Sequence, residues 1–100
     1  MFQNWVMEAG YELVEKEAVV NFHFPHEDIL KKEDEIKLLK QQLNRANSLG
    51  NIEHQKVKIY FVDDQGKKVV HTTIWGITDT SILLKKNVIL PIQRIVKLEI

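Results

Sequence analysis

Four histidines, His23, His26, His54 and His71, are the side chains best suited to metal or proton chemistry near neutral pH. His23 and His26 stand three apart around Pro25, with Glu27 and Asp28 beside them. That spacing suits two zinc ligands, but a tetrahedral site needs a third and a fourth from elsewhere. His23 alternates with Phe22 and Phe24, so it points away from their apolar face. No metal site is expected. Nucleophilic chemistry finds no better support: Ser48 and Ser81 are the serines, and neither stands in a Gly-x-Ser-x-Gly turn. The adjacent carboxylates Asp63-Asp64, Asp34-Glu35 and Glu27-Asp28 read as solvated turns and helix faces. Gly10, Gly50, Gly66 and Gly76 are too far apart to cradle a phosphate, and the chain has no cysteine. The expectation is a protein without cofactor and without catalysis.

Binding chemistry has more material. Lys67-Lys68 and Lys85-Lys86 lie near turns, and Arg94 follows a break in a strand. Trp75, Tyr60 and Phe61 are aromatics on which a base could stack. Against this, Trp75 and Phe61 could fill or cover the fold while the lysines keep strand edges soluble. The candidate binding surface is therefore Lys67, Lys68, Trp75, Lys85, Lys86 and Arg94. The formal net charge of zero hides an asymmetry. Residues 1–53 carry six basic and ten acidic side chains, a net of −4; residues 54–100 carry eight and four, a net of +4. Two such halves can attract each other within a chain or between chains. A surplus of that size falls short of a strongly basic nucleic-acid footprint.

The elements that must position these residues can be read from hydrophobic periodicity. One hundred residues, 44% apolar and 28% charged, suit a single domain. Residues 1–24 form an N-terminal extension in which 18–24 read as a strand, because Val20, Phe22 and Phe24 alternate with polar positions. Gly10 marks a turn, and residues 2–9 suit either a helical turn or a strand. Residues 26–49 read as an amphipathic helix. Pro25 stands at its entrance, and Glu27 and Asp28 lie in its first turn. Ile29, Ile36, Leu39, Leu43 and Ala46 fall on one stripe, and Gly50 closes it. That stripe suits packing on the chain's own strands or pairing between subunits.

Residues 55–100 read as strands. Val57, Ile59 and Phe61 share a face. Asp63-Asp64-Gln65-Gly66 makes a hairpin turn. A long second strand over 67–77 bends at Gly76. Thr78-Asp79-Thr80 and Lys86-Asn87 are turns around a strand over 81–85. A fourth strand covers 88–90, Pro91-Ile92-Gln93 interrupts pairing, and 94–100 close the fold.

A helix followed by five strands, with a short break between the fourth and fifth, resembles the Sm-like superfamily, and within it the bacterial host-factor RNA chaperones. The similar stretches are residues 56–61, Gly66-Lys67, Ile77-Thr78-Asp79 and Ile82-Leu83-Leu84-Lys85. The resemblance implies an α+β fold in which the N-terminal segment and the helix precede a five-stranded antiparallel Sm-like β-barrel. It also implies RNA as a partner. Where that family carries Tyr-Lys-His, this chain has Pro91-Ile92-Gln93 or Ile92-Gln93-Arg94.

No apolar run reaches the roughly 18 residues of a membrane span, and no signal peptide is apparent. A cytoplasmic location is expected. The role expected from the residues is a binding or assembly module, with a protein partner or homo-oligomer preferred and RNA or single-stranded nucleic acid as the alternative.

Overall fold

The computed structural model describes residues 10–100. Its strands are β1 (Glu12–Val14), β2 (Val57–Val62), β3 (Lys67–Thr72), β4 (Ile74–Ile77), β5 (Ser81–Leu84), β6 (Val88–Pro91) and β7 (Ile95–Glu99). One α-helix, α1 (Glu33–Glu53), stands between β1 and β2. Short 3-10 turns occupy Lys16–Asn21, Lys85–Asn87 and Ile92–Arg94. The open reading of residues 2–9 lies outside the described residues. No described helix is long and apolar enough to cross a membrane.

The strands form two sheets, β1-β3-β2-β7 and β4-β5-β6. All pairs are antiparallel except β1 with β3, which run parallel. The expected five-stranded closed barrel is therefore wrong: the described residues form seven strands in two sheets, and among them the hydrogen-bond ladder does not close. The chain leaves the first sheet at Thr73, which breaks the long strand expected over 67–77. The Thr73 hydroxyl donates instead to the His54 carbonyl at the end of α1. A 3-10 turn separates β6 from β7, and β7 pairs with β2 rather than with β6. Side chains, not a shared ladder, join the sheets. Ile59, Phe61 and Val70 from the first sheet meet Ile74, Ile82, Leu84 and Leu90 from the second, with Leu39, Leu43 and Ala46 of α1 in the same cluster. Each large side chain so buried contributes roughly 1.5–3 kcal/mol.

The helix is shorter at its start and longer at its end than its apolar stripe suggests. Residues 26–32 are not helical. Their backbone is claimed by tertiary hydrogen bonds: Ile29 N–H donates to the Gln93 carbonyl, and Arg94 Nη1 donates to the Glu27 carbonyl. Gly50 does not end the helix. It lies inside it because α1 crosses β4 there at backbone distance, and a Cβ would collide with the Ile74 carbonyl. His54 closes the helix instead, at φ 55°, with its N–H on the Gly50 carbonyl.

Residues 18–24 are not a strand either. A 3-10 turn over Lys16–Asn21 buries Val19 and leaves Val20 exposed, the opposite of the alternation read from the sequence. Phe22 and Phe24 then pack on Phe61 with ring centroids 6.2 and 6.0 Å away.

Most strand edges are covered. α1 packs on β4 and on β7, and the Gln42 side chain accepts the Leu98 N–H at 3.3 Å. The 3-10 turn Lys16–Asn21 packs against β6. β1 is an edge strand of three residues. Short or covered edges resist pairing with other chains.

Candidate protein-binding face

The six residues proposed as a binding surface do not come together. Arg94 is 5% exposed. Its Nε donates to the Val62 carbonyl at 2.9 Å and its Nη1 to the Glu27 carbonyl at 2.8 Å. A guanidinium can hold two carbonyls at fixed angles, so Arg94 ties residues 26–32 to the end of β2. It presents no cation to a partner.

Lys68 is also internal, at 8% exposure. Its Nζ lies 2.9 Å from the Asp63 carboxylate and 5.0 Å from the centre of the Phe22 ring. The same carboxylate oxygen accepts the Gln65 and Gly66 N–H groups at the β2–β3 turn. Burial pushes the Asp63 pKa up, but those hydrogen bonds and the Lys68 charge outweigh it and hold the carboxyl below its ordinary value. Lys67 sits on the other face of β3, its Nζ 5.5 Å from the Tyr11 ring.

A polar network spans β2 and β7. Tyr60 O–H donates to Glu99 at 3.0 Å, Lys58 pairs with Glu99 at 3.3 Å, and Lys97 lies 5.1 Å from the Tyr60 ring. Burial, then the bond to Glu99, pushes the Tyr60 pKa up to about 12. A phenol so held stays neutral at physiological pH. His71 is pushed below its ordinary value, first by burial and then by the Lys56 and Lys58 charges. His23 and His26 are both exposed. Among the described residues no group of three or more His, Cys, Asp or Glu side chains could hold a metal.

Trp75, Lys85 and Lys86 do share a neighbourhood. β4 and β5 pair with a register shift between Ile74 and Gly76, so Trp75 is the extra residue of a bulge. This places the bend where the sequence put Gly76, with Trp75 as the residue it turns outward. Ile74 points into the core, and Trp75 is 49% exposed. Leu83 pairs with Gly76 on one side and with Ile89 on the other. Its neighbours Ile82 and Leu84 are buried, and so are the neighbours of Ile89, Val88 and Leu90. Period-2 alternation therefore sends Leu83 and Ile89 to the outer face with Trp75. Ile89 is 58% exposed. The result is an apolar row, Trp75–Leu83–Ile89, across the three strands of the smaller sheet.

The two turns at the ends of β5 carry opposite charge. At one end Lys85 and Lys86 project from the 3-10 turn, where Lys86 takes φ 64° and Lys86 Nζ lies 3.7 Å from Glu17. At the other, the Thr78 hydroxyl accepts the Thr80 and Ser81 N–H groups. The Asp79 side chain is thus not needed to hold its own turn.

Leu83 and Ile89 were not among the residues singled out from the sequence. Both sit in unbroken apolar triplets, Ile82-Leu83-Leu84 and Val88-Ile89-Leu90, where periodicity cannot say which member faces out. The available signal was that such a triplet in a two-sided strand must present at least one apolar side chain to its second face.

No protein-family model, curated protein or solved structure matches this chain.

Proposed function

We propose that this protein is a non-enzymatic binding module, and that it takes a protein partner on the outer face of its β4-β5-β6 sheet. The observation that carries the reading is the outward-facing row Trp75–Leu83–Ile89, exposed at Trp75 and Ile89 and partly buried at Leu83. A tryptophan and an isoleucine about half out of the fold, on the two strands that flank β5, contribute little to the monomer's own core. Tryptophan is also the residue type most enriched among energetic anchors of interfaces. The covered strand edges favour this face over edge-to-edge pairing.

The test is photo-crosslinking with a benzophenone side chain placed at position 75 or 89 in the producing cells, with position 64 on the β2–β3 turn as control. Protein adducts formed from 75 and 89 and absent from 64 are expected. Equal adducts from all three positions would count against the face. The second reading, RNA or single-stranded nucleic acid, rests on Lys85 and Lys86 beside Trp75. Micromolar binding of labelled oligo-U or oligo-A that weakens steeply with salt would favour it.

A further inference from the structure

We infer that the occupant of this face is a second copy of the same chain, stacked face to face about a two-fold axis. The inference rests on the reading of the β4-β5-β6 face as a protein-binding surface and names its partner. Two features of the face argue for self-recognition.

The first is the placement of charge. Asp79 and Lys85 stand in the turns beyond opposite ends of β5, which itself spans about 10 Å at the rise of an extended strand. Among the described residues neither has an ion-pair partner. The charges near the lysine end include Lys16, Lys85, Lys86 and Glu17, and Glu17 lies against both Lys16 and Lys86, at 3.2 and 3.7 Å. A two-fold axis lying in the interface and crossing the strands near Ile82 reverses the strand direction of the second copy. Lys85 of one copy then meets Asp79 of the other, twice, by symmetry. An axis along the strands would instead bring Lys85 against Lys85. Charge therefore selects one of the two simple isologous arrangements.

The second is the composition of the face between those charges. Trp75, Leu83 and Ile89 of both copies form one apolar layer in the manner of two packed sheets. Three apolar side chains a copy are far fewer than the 20–30 residues a side of a standard interface. The dimer is accordingly weak, with a dissociation constant on the order of 100 µM.

The experiment is sedimentation equilibrium of the full chain from about 10 µM to 1 mM at low salt, with four variants and their mixtures. Wild type is expected to pass from monomer to dimer over that range. Trp75→Ala weakens association by more than tenfold while leaving the circular dichroism spectrum unchanged. Asp79→Lys and Lys85→Asp each weaken self-association by about tenfold, because each sets like charges against each other at both ends. An equimolar mixture of Asp79→Lys with Lys85→Asp restores it, since both ends of the mixed dimer then pair opposite charges. The double variant Asp79→Lys/Lys85→Asp restores it as well. A wild type that stays monomeric at 1 mM, or a mixture that associates no better than its components, overturns the proposal. If photo-crosslinking from position 75 then yields adducts of some other protein, the second copy is wrong and the binding face stands. A dimer unaffected by Trp75→Ala and by the charge reversals places the contact elsewhere and overturns this inference, while the crosslinks from positions 75 and 89 decide the binding face separately.

Discussion

Asp63, Lys68 and Arg94 show how three charged side chains are spent inside so small a molecule. Asp63 organises the β2–β3 turn through the Gln65 and Gly66 N–H groups and neutralises Lys68. Asp63→Asn keeps an oxygen for the turn but leaves an uncompensated ammonium against Phe22, and unfolding in urea should show a loss of about 2 kcal/mol or more at pH 7. The pH dependence follows from the direction of the shift. Because the folded-state pKa lies below the ordinary 3.8, the carboxylate's contribution is complete above that value and fades as pH falls through the folded pKa. The gap between wild type and Asp63→Asn should therefore close in strong acid; a gap that persists there would refute the ion pair as its source. Arg94→Met retains much of the stem and strands the Val62 and Glu27 carbonyls. It should lower stability by about 1–3 kcal/mol, with the earliest loss of amide protection at Ile29, whose N–H bond to Gln93 lies in the same strap.

At the scale of elements, α1 is fixed by its approach to β4 more than by its own propensity. Gly50 in a helix interior sacrifices about 1 kcal/mol relative to alanine. The collision of a Cβ with the Ile74 carbonyl reverses that sign. Gly50→Ala should thus lower the melting temperature, whereas Ser48→Ala on the exposed side of the same helix should raise it slightly. A stabilised Gly50→Ala protein would mean that α1 and β4 can separate freely. The same element scale explains the misread N-terminal strand. Val20, Phe22 and Phe24 alternate correctly for a strand, yet Phe61 offers a surface that Phe22 and Phe24 reach with Val19 buried behind them. Local pattern yields to that packing.

For the whole molecule, the division into two sheets separates stability from surface. The core draws on both sheets and on α1, while the row Trp75–Leu83–Ile89 lies on the far side of the smaller sheet. Trp75→Ala should leave thermal stability within about 0.5 kcal/mol of wild type while abolishing the crosslinks formed from position 89. A large loss of stability would instead make Trp75 part of the core. Covering β4 and β7 with α1, and β6 with the 3-10 turn, leaves the outward sheet face as regular structure open to the proposed partner.

How much of this was legible in the sequence depends on the range of the interactions involved. Hydrophobic periodicity and turn chemistry act within a few residues, so they determined the helix over most of its length, the hairpin turn at Gly66 and the bend near Gly76. They could also nominate Trp75, Lys85 and Lys86. What they could not do was weigh one element against another. Only the tertiary structure decided that residues 26–32 surrender their backbone to Gln93 and Arg94, that Thr73 breaks the long strand, and that the ladder stays open in two sheets. It also moved Lys68 and Arg94 from the surface to the interior and brought Leu83 and Ile89 beside Trp75. The physical reason is common to all of these. A side chain's facing and a backbone group's partner are set by what arrives from distant positions in the chain, and nothing in the local pattern encodes that arrival.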